Sequence, residues 1–170
     1  MTESLVLRPL AVSDATVMTT VLADPSLYEY TGGEPPSLSE LEDQYKFQTR
    51  GQSPDGAEQW INLVVLREPG DDPIGYVQAT VEKATSIAEI SWVIGRAWQR
   101  QGYASRAAQQ LVELLMEQGV QQIVAHIHPD HAASQAIARK LGLVPTEQVV
   151  DGEIRWERDV NLSEERHLSS

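Results

Sequence analysis

Apolar residues recur along this chain with two spacings, which separate predicted strands from predicted helices. Runs rich in β-branched residues predict strands over residues 4–8, 60–66, 74–82, 87–94 and 123–127. Apolar residues three and four positions apart predict helices over residues 13–23, 37–48, 104–118 and 130–141. The pair Asp151-Gly152 is typical of a type I′ turn, so the chain is predicted to end in a hairpin that reaches about residue 159.

Local signals mark where these elements begin and end. Ser37 and Glu40 form a capping-box pattern before the second helix, and Gly142 lies where the last helix should close. The turn-rich segment 68–73 predicts that the strands on either side of it pair antiparallel, and 87–94 adds a third strand to this meander. The order is strand, two helices, three-strand meander, helix, strand, helix and hairpin. This order predicts an α+β domain with a mixed central sheet.

Length and composition narrow the class of protein. A chain of 170 residues fits one domain, predicted here over residues 1–160 with a polar tail over 161–170. The absence of cysteine excludes a disulfide, a thiolate metal site and an acyl-cysteine intermediate. No apolar stretch approaches the roughly 20 residues that cross a bilayer and no leader pattern is present, so we expect a cytoplasmic protein without a membrane partner.

The net charge of −12 bears on possible partners. Nucleic-acid backbones demand a basic surface, and the chain has no Lys/Arg cluster of useful size, so we expect no nucleic-acid partner. The same acidity would attract a cationic amine, although it also fits an acidic surface that only keeps the protein soluble.

The most informative segment, residues 87–105, reads as a strand, a loop containing Gly102 and the start of a helix. The first N–H groups of a helix have no intrahelical acceptor, and the helix dipole places partial positive charge there. Such a segment can bind a phosphate largely through its main chain, and Gly102 lets the backbone approach closely.

The spacing Gln99-x-x-Gly102-x-Ala104 resembles the pyrophosphate-binding motif of the GNAT superfamily of acyl-CoA-dependent N-acyltransferases. Three further matches, in the same order, resemble the branch that contains the Rim-type ribosomal-protein N-terminal acetyltransferases and several antibiotic and small-amine acetyltransferases. They are Leu5-Val6-Leu7-Arg8-Pro9-Leu10, Ile74-Gly75-Tyr76-Val77, and His131-Ala132-Ala133-Ser134 with Lys140-Leu141-Gly142-Leu143. The resemblance covers about residues 5–157.

The resemblance implies the GNAT fold, a mostly antiparallel sheet of about seven strands flanked by about four helices. In that fold the strands at 87–94 and 123–127 lie parallel and splay apart around the pantetheine arm. The implied activity is transfer of an acetyl group from acetyl-CoA to a primary amine, with acetyl-CoA as co-substrate and no metal. The implied cofactor contacts are Trp92, Val93, Ile94, Gln99, Arg100, Gln101, Gly102, Tyr103, Ala104, Ser105 and His131.

Two residues are candidates for the acid–base chemistry. Glu89 interrupts an apolar strand where family members often carry a carboxylate, which acts as general base directly or through water; a salt bridge or a solvent-facing role is equally open. Ser134 matches the serine of the Rim-type pattern and is a candidate to protonate the leaving thiolate. Glu29, Glu34 and Glu153 are weaker candidates for the base.

The chain departs from the family pattern at two positions. His131 stands where an asparagine is usual, and Ala138 stands where many members have a tyrosine that acts as general acid. These departures motivate an alternative, a domain that binds acyl-CoA without turnover as a sensor or assembly module. His126 and His128 share one face of a strand, but no carboxylate or cysteine at metal-ligand spacing accompanies them, so we interpret them as a wall of the cofactor cleft. The acceptor amine and a possible homodimer stay open.

Overall fold

The computed structural model describes residues 4–68 and 70–160. The predicted polar tail, residues 161–170, lies outside these residues. The strands are β1 (Leu5–Pro9), β2 (Glu58–Arg67), β3 (Asp72–Glu82), β4 (Ile87–Ile94), β5 (Gln122–Ile127), β6 (Val144–Val150) and β7 (Glu153–Asp159). The helices are α1 (Ala15–Val21), α2 (Leu38–Gln48), α3 (Tyr103–Glu117) and α4 (Ala132–Lys140), with short 3-10 turns at Val12–Asp14, Pro25–Tyr28 and Arg96–Trp98.

The strands form one sheet in the order β1-β2-β3-β4-β5-β7-β6. Every neighbouring pair is antiparallel except β4 and β5, which run parallel. The predicted meander is therefore confirmed as β2-β3-β4, and the final hairpin turns at Asp151 and Gly152, both with positive φ as a type I′ turn requires. The α+β class, the mixed sheet and the order of elements are all as the sequence predicted.

The two faces of the sheet differ in polarity because side chains alternate along each strand. On β3, Val77, Ala79 and Val81 are buried on one face, while Tyr76 and Gln78 point to the other. Helix α3 covers the apolar face with a stripe of buried residues, Tyr103, Ala107, Ala108, Leu111, Val112 and Leu115. The polar face is covered only in part, by α1 and α2, which leaves room for cavities there.

Gly75 is required where β3 and β4 pair. It lies opposite Ile94, and a Cβ atom at this position would stand 2.1 Å from the main-chain oxygen of Val93. The close approach of the two backbones therefore excludes any side chain, because overlap of this size forces one strand away from the other. Gly75 thus helps to hold the C-terminal half of β4 in place.

The N-terminal helix differs from its prediction. Ser13-Asp14 was expected to cap a helix running to about Ala23, but a 3-10 turn precedes α1, and α1 ends at Val21. The Asp14 carboxylate accepts hydrogen bonds from both terminal nitrogens of Arg8, at 2.7 and 3.1 Å, and from the Ala11 N–H at 2.8 Å. An ion pair to β1 has replaced the expected helix cap.

The remaining helices agree with their predictions to within two residues. The capping box of α2 is formed, with Ser37 Oγ accepting from the Glu40 N–H and Glu40 Oε1 accepting from the Ser37 N–H. Helix α3 begins one residue earlier than expected, at Tyr103, and α4 begins two residues later, at Ala132. Among the described residues, no helix combines the length and the apolar character needed to cross a membrane.

We expect Asp14→Asn to lower the free energy of unfolding by about 1 kcal/mol at pH 7, because a partly buried charge-assisted pair is lost. Burial would by itself raise the pKa of Asp14, but the bonds from Arg8 and Ala11 outweigh it and lower the pKa below its usual 3.8. A lowered folded-state pKa gives stability that is complete above the unfolded pKa and is lost as pH falls through the folded one.

The difference between the wild type and Asp14→Asn should therefore be constant from pH 7 down to about pH 4 and shrink below it. Urea unfolding monitored by tryptophan fluorescence at several pH values measures this difference. The exposed acid of α2 provides the control, since Asp43→Asn should unfold like the wild type at every pH. A difference that stayed constant to pH 2.5 would contradict the pairing.

Candidate active site

The parallel pairing of β4 with β5 ends soon after it begins. It comprises Ile87 with Gln122, Ala88 with Ile123 and Glu89 with Val124. Beyond this point β4 stays paired with β3 as far as Ile94, and β5 stays paired with β7 as far as Ile127. The two strands therefore diverge, and the facing edges expose main-chain groups that no strand partner satisfies.

A cleft of about 300 Å³ occupies the gap. One wall is formed by residues 90–93 of β4, and the other by Ala125 and residues 126–128 at the end of β5. His131 and Ser134 close the cleft on the side of α4, while Tyr30 and its neighbours close it from the N-terminal third. Trp92, Val93, His131 and Ser134, all predicted from sequence, thus lie together; Ile94 is buried at the open end of β4.

The predicted phosphate loop lies where β4 leads into α3. Gly102 precedes α3 with φ of +82°, and Arg100 also has a positive φ, of +64°. Left-handed residues close together turn successive N–H groups toward one side, which forms an anion-binding concavity. A Cβ atom on Gly102 would have nothing within 4 Å, so the space beside the backbone is open.

The side chains of residues 96–105 differ in their contacts and in their burial. Gln99 donates from Nε2 to the Ile94 main-chain oxygen at 3.0 Å, which ties the loop to the end of β4. Arg96 contacts Asp24 at 3.5 Å, whereas Arg100 is exposed and has no ion-pair partner within residues 4–68 and 70–160. Tyr103 is buried in the core beneath α3, so only its main chain is placed to face a ligand. Gln101 is exposed, and Ala104 and Ser105 are partly buried in the first turn of α3.

Glu89 lies at the narrow end of the cleft, on the last residue of β4 that pairs with β5. Its Oε1 is 2.8 Å from Nδ1 of His126, which lies two positions along β5 from the pairing partner of Glu89. The Glu89 side chain is 56% exposed and the His126 side chain 19% exposed. His126 is the cleft-lining member of this pair.

Aromatic and imidazole rings form the outer wall. The rings of Tyr30 and His131 stack, with centroids 4.5 Å apart and planes inclined by 15°, and His128 packs against the same tyrosine at 5.2 Å. Nε2 of His131 is 3.3 Å from Oγ of the buried Ser134. Burial lowers the pKa of His131 below its usual 6.5, and His128 lowers it further, although Glu29 opposes the shift. His131 is therefore a neutral imidazole at pH 7.

A second cavity of about 200 Å³ lies beside the cleft, on the polar face of the sheet under α2. The two spaces share Leu22, Tyr28 and Tyr76 as walls. Burial raises the pKa of Tyr76 to about 12, so its hydroxyl stays protonated at neutral pH. Glu34 is the acidic residue of the second cavity.

A ladder of polar side chains crosses the sheet from the second cavity to the cleft. Gln78 donates from Nε2 to Asn62 Oδ1 at 2.9 Å, and the Ser91 hydroxyl donates to Gln78 Oε1 at 3.3 Å. Tyr76, Asn62 and Gln78 were not predicted as site residues. Polar residues at alternate positions of β3 do indicate a face of the sheet that is not packed into the core.

Two histidines of the cleft wall have hydrogen-bond partners at Nδ1. Nδ1 of His126 faces Glu89, and Nδ1 of His128 accepts from the Asp130 N–H at 3.0 Å. Among the residues that the structure describes, no three histidine or carboxylate side chains are grouped so that they could hold a metal ion.

Comparisons of sequence and of fold both relate this chain to known acetyltransferases. The family model described as "Acetyltransferase (GNAT) domain" matches residues 4–144. The Uncharacterized N-acetyltransferase YnaD of Bacillus subtilis (strain 168) is 30% identical over 125 residues, which are 69% of this chain and 71% of that protein.

Solved structures share the fold at low identity. Aminoglycoside acetyltransferase AAC(6')-Ib in complex with coenzyme A superimposes with a TM-score of 0.78 at 19% identity, over 96% of this chain and 99% of that one. RimL, described as a ribosomal L7/L12 α-N-protein acetyltransferase in complex with coenzyme A, gives 0.76 at 16% identity, over 93% and 95%. At these identities the likeness shows the fold.

We expect the His131 ring to titrate below pH 6.5, and to do so because Tyr30 shields it from water. Tyr30→Ala should raise the midpoint toward 6.5, since it removes the shielding that disfavours the charged ring. Glu29→Gln should lower the midpoint, because a negative charge that favours the imidazolium is lost. NMR titration of the imidazole resonances measures both midpoints, and a shift of the same sign in the two variants would contradict this account.

Proposed function

Because this chain belongs to the GNAT acetyltransferase family, we propose that it transfers an acetyl group directly from acetyl-CoA to a primary amine, both bound in one ternary complex. The observation that carries the proposal is the cleft between β4 and β5, together with the left-handed loop into which β4 leads at the start of α3. The pantetheine arm would lie between the two strands and pair with the main chain of Trp92, Val93 and Ile94.

The residues present fit coenzyme A. Its diphosphate would bind the N–H groups of residues 100–105, where the open space beside Gly102 admits a phosphate oxygen and Arg100 adds charge-assisted bonds. The Gln99 N–H already donates to the Arg96 oxygen at 3.2 Å, so Gln99 would support the site by holding the loop in place. His131 would contact the pantetheine or adenosine side, as a neutral ring that can donate one hydrogen bond. When bound, acetyl-CoA supplies the activated acyl carbon; the protein's task is to orient it against the amine.

The chemical step forms a C–N bond and breaks the C–S bond of the thioester. The main chain near Val93 would donate to the carbonyl oxygen as charge develops on it. Glu89 is proposed to take the proton from the amine, directly or through an intervening group, and Ser134 to donate a proton to the leaving thiolate. The buried Ser134 hydroxyl lies 3.3 Å from Nε2 of His131, so the neutral ring would orient the hydroxyl, and water would replace the proton that it gives up.

The second cavity is the proposed acceptor site. It shares Tyr28 and Tyr76 with the cleft, so an amine held there would approach the acyl group from the polar face of the sheet. Glu34 would attract a cationic amine, in keeping with the net charge of −12. Among the relatives, one enzyme is described with an aminoglycoside and one acts on a ribosomal-protein N-terminus. We propose the same two classes of acceptor, and small metabolite amines, for this chain.

Three finer assignments are also part of the proposal. We propose that the chain falls in the Rim-type branch and works in the cytoplasm. A homodimer through the final hairpin is also proposed, because β6 is an edge strand on which Val144, Val149 and Val150 are exposed.

We expect Gly102→Glu to weaken binding of acetyl-CoA at least about tenfold, or about 1.4 kcal/mol, because a carboxylate would stand in the phosphate cradle. Calorimetric titration measures the affinity. Gly119→Glu is the matched control, since Gly119 has φ of +86° against +82° at Gly102 and open space beside it, at the other end of α3. Binding by Gly102→Glu equal to that of the control would overturn the phosphate site.

We expect the wild-type protein to bind acetyl-CoA but not ATP, and to release free CoA only when an amine is present. Release is measured with a thiol reagent in single-turnover mixtures containing kanamycin, tyramine or a tetrapeptide with an N-terminal serine. Binding without thiol release from any of the three would favour the alternative that the domain is a non-catalytic acyl-CoA sensor. Absence of acetyl-CoA binding would remove both.

A further inference from the structure

The unassigned group with the clearest geometry is the imidazole of His126. It belongs to β5, and its ring lines the cleft a short distance beyond the point where β4 and β5 part. Nδ1 faces Oε1 of Glu89 at 2.8 Å. We propose that His126 is the catalytic base that takes the proton from the attacking amine, and that Glu89 is a positioning residue acting through it; this rests on the acetyltransferase function proposed above.

The hydrogen bond decides which nitrogen is available. A carboxylate has no proton to donate, so in the neutral ring Nδ1 must carry the hydrogen and Nε2 must hold the lone pair. Nε2 therefore makes no contact with Glu89, and it is the ring nitrogen that can face a ligand in the cleft. The arrangement follows the logic of a carboxylate–histidine pair, in which the acid orients the imidazole and stabilises the imidazolium formed by proton transfer.

Burial separates the roles of the two residues. The His126 side chain is 19% exposed and lines the cleft, whereas the Glu89 side chain is 56% exposed and is not among the residues that line it. A base must come within hydrogen-bond reach of the proton that it removes. His126 meets this requirement from the cleft wall, and Glu89 reaches the cleft through the ring.

The position along the cleft also favours His126. If the pairing of Glu89 with Val124 were continued, Ser91 would face His126 across the gap. Ser91 is hydrogen-bonded to Gln78, which lines the second cavity. Ser91 and Gln78 thus link the cleft wall opposite the ring to the proposed acceptor cavity, so an amine arriving along these polar side chains would meet a thioester in the cleft beside His126.

The proton balance is simple. The bound ammonium loses one proton to Nε2, and the freed lone pair attacks the acyl carbon. As the C–S bond breaks, Ser134 gives a proton to the leaving thiolate, and the nitrogen loses its second proton, which water carries back to Ser134. His126 then returns its proton to water. No oxidant, metal or further reactant is needed.

Charged and titratable groups surround the ring on every side. Arg155 of β7 is the strand partner of His126, and it is partly neutralised by Glu157 at 3.0 Å and bonded to Gln122 at 3.2 Å. Among the described residues, the titratable groups that face or border the ring are Glu89 on β4, His128 just after β5, Arg155, Glu157 and Glu153 on β7, and His131 before α4.

The test compares His126→Gln and Glu89→Gln with the wild type, using whichever amine of the panel above turns over. We expect His126→Gln to lower kcat at least about a hundredfold, the scale of one acid–base group, with acetyl-CoA affinity within about twofold. Its rate should rise with pH without a plateau, because the amine must then lose its proton unaided. Glu89→Gln should lower kcat about tenfold, and the double variant should be no slower than His126→Gln.

A matched control lies on the same sheet. The Asp159 carboxylate accepts from Gln122 of β5 at 2.8 Å, outside the cleft, so Asp159→Asn removes a similar strand carboxylate and should leave kcat and its pH profile unchanged. The tautomer is read separately, from the ¹⁵N shifts of the ring in the free protein. The wild type should show the hydrogen on Nδ1, and Glu89→Gln should shift the population toward Nε2–H, because an amide can donate to Nδ1.

Each result has one meaning. Normal turnover by His126→Gln beside an active wild type would overturn the assignment of the base and leave the acetyltransferase function standing. A larger loss in Glu89→Gln than in His126→Gln would return the role of base to Glu89. No turnover by the wild type, despite acetyl-CoA binding, would overturn the proposed function and this inference with it.

Discussion

The short parallel contact between β4 and β5 is the constraint on which the rest of the site depends. Three residue pairs join the strands, and the sheet then divides into halves, β1–β4 and β5–β7, each held by its own antiparallel pairs. A gap in a sheet leaves main-chain donors and acceptors without partners, which is costly unless water or a ligand satisfies them. The edges of the cleft therefore present main-chain groups with which an extended ligand could pair as a strand would, and the helices on either side determine which side chains surround it.

Much of the fold could be predicted from the sequence because its elements are specified locally. The bounds of β4, 87–94, were predicted correctly because polar turn residues stop the apolar run at both ends. The capping box of α2 and the Asp-Gly turn were also correct, since both are decided by neighbouring residues. The N-cap of α1 was predicted correctly at Asp14, but its capping bond was not, for the complementary reason: the Asp14 carboxylate bonds to Arg8 of β1, so a tertiary ion pair uses the group that local rules assign to the cap.

The same difference between local signals and long-range contacts decides which parts of the site could be predicted. The proposed phosphate loop is one continuous segment, so residues 99–105 could be singled out by their resemblance to a known motif. The pairing of Glu89 with His126 joins residues 37 apart through a parallel register that no local signal determines. The stacking of Tyr30 on His131 depends on how the chain between two helices folds back on the cleft. Asn62 and Gln78 are an intermediate case. They are 16 residues apart on two strands of one predicted hairpin, so their pairing could be worked out once the strands were predicted.

The division of the sheet has a further consequence, for the lifetime of the protein. A molecule lying between β4 and β5 would bridge two halves whose main chains otherwise meet at only three pairs. Such a ligand raises the free energy of unfolding. The increase grows with the logarithm of the free ligand concentration divided by the dissociation constant. The folded fraction of this chain would then follow the supply of its acyl donor, so that a shortage of donor would expose the seam to proteases before it limited any reaction.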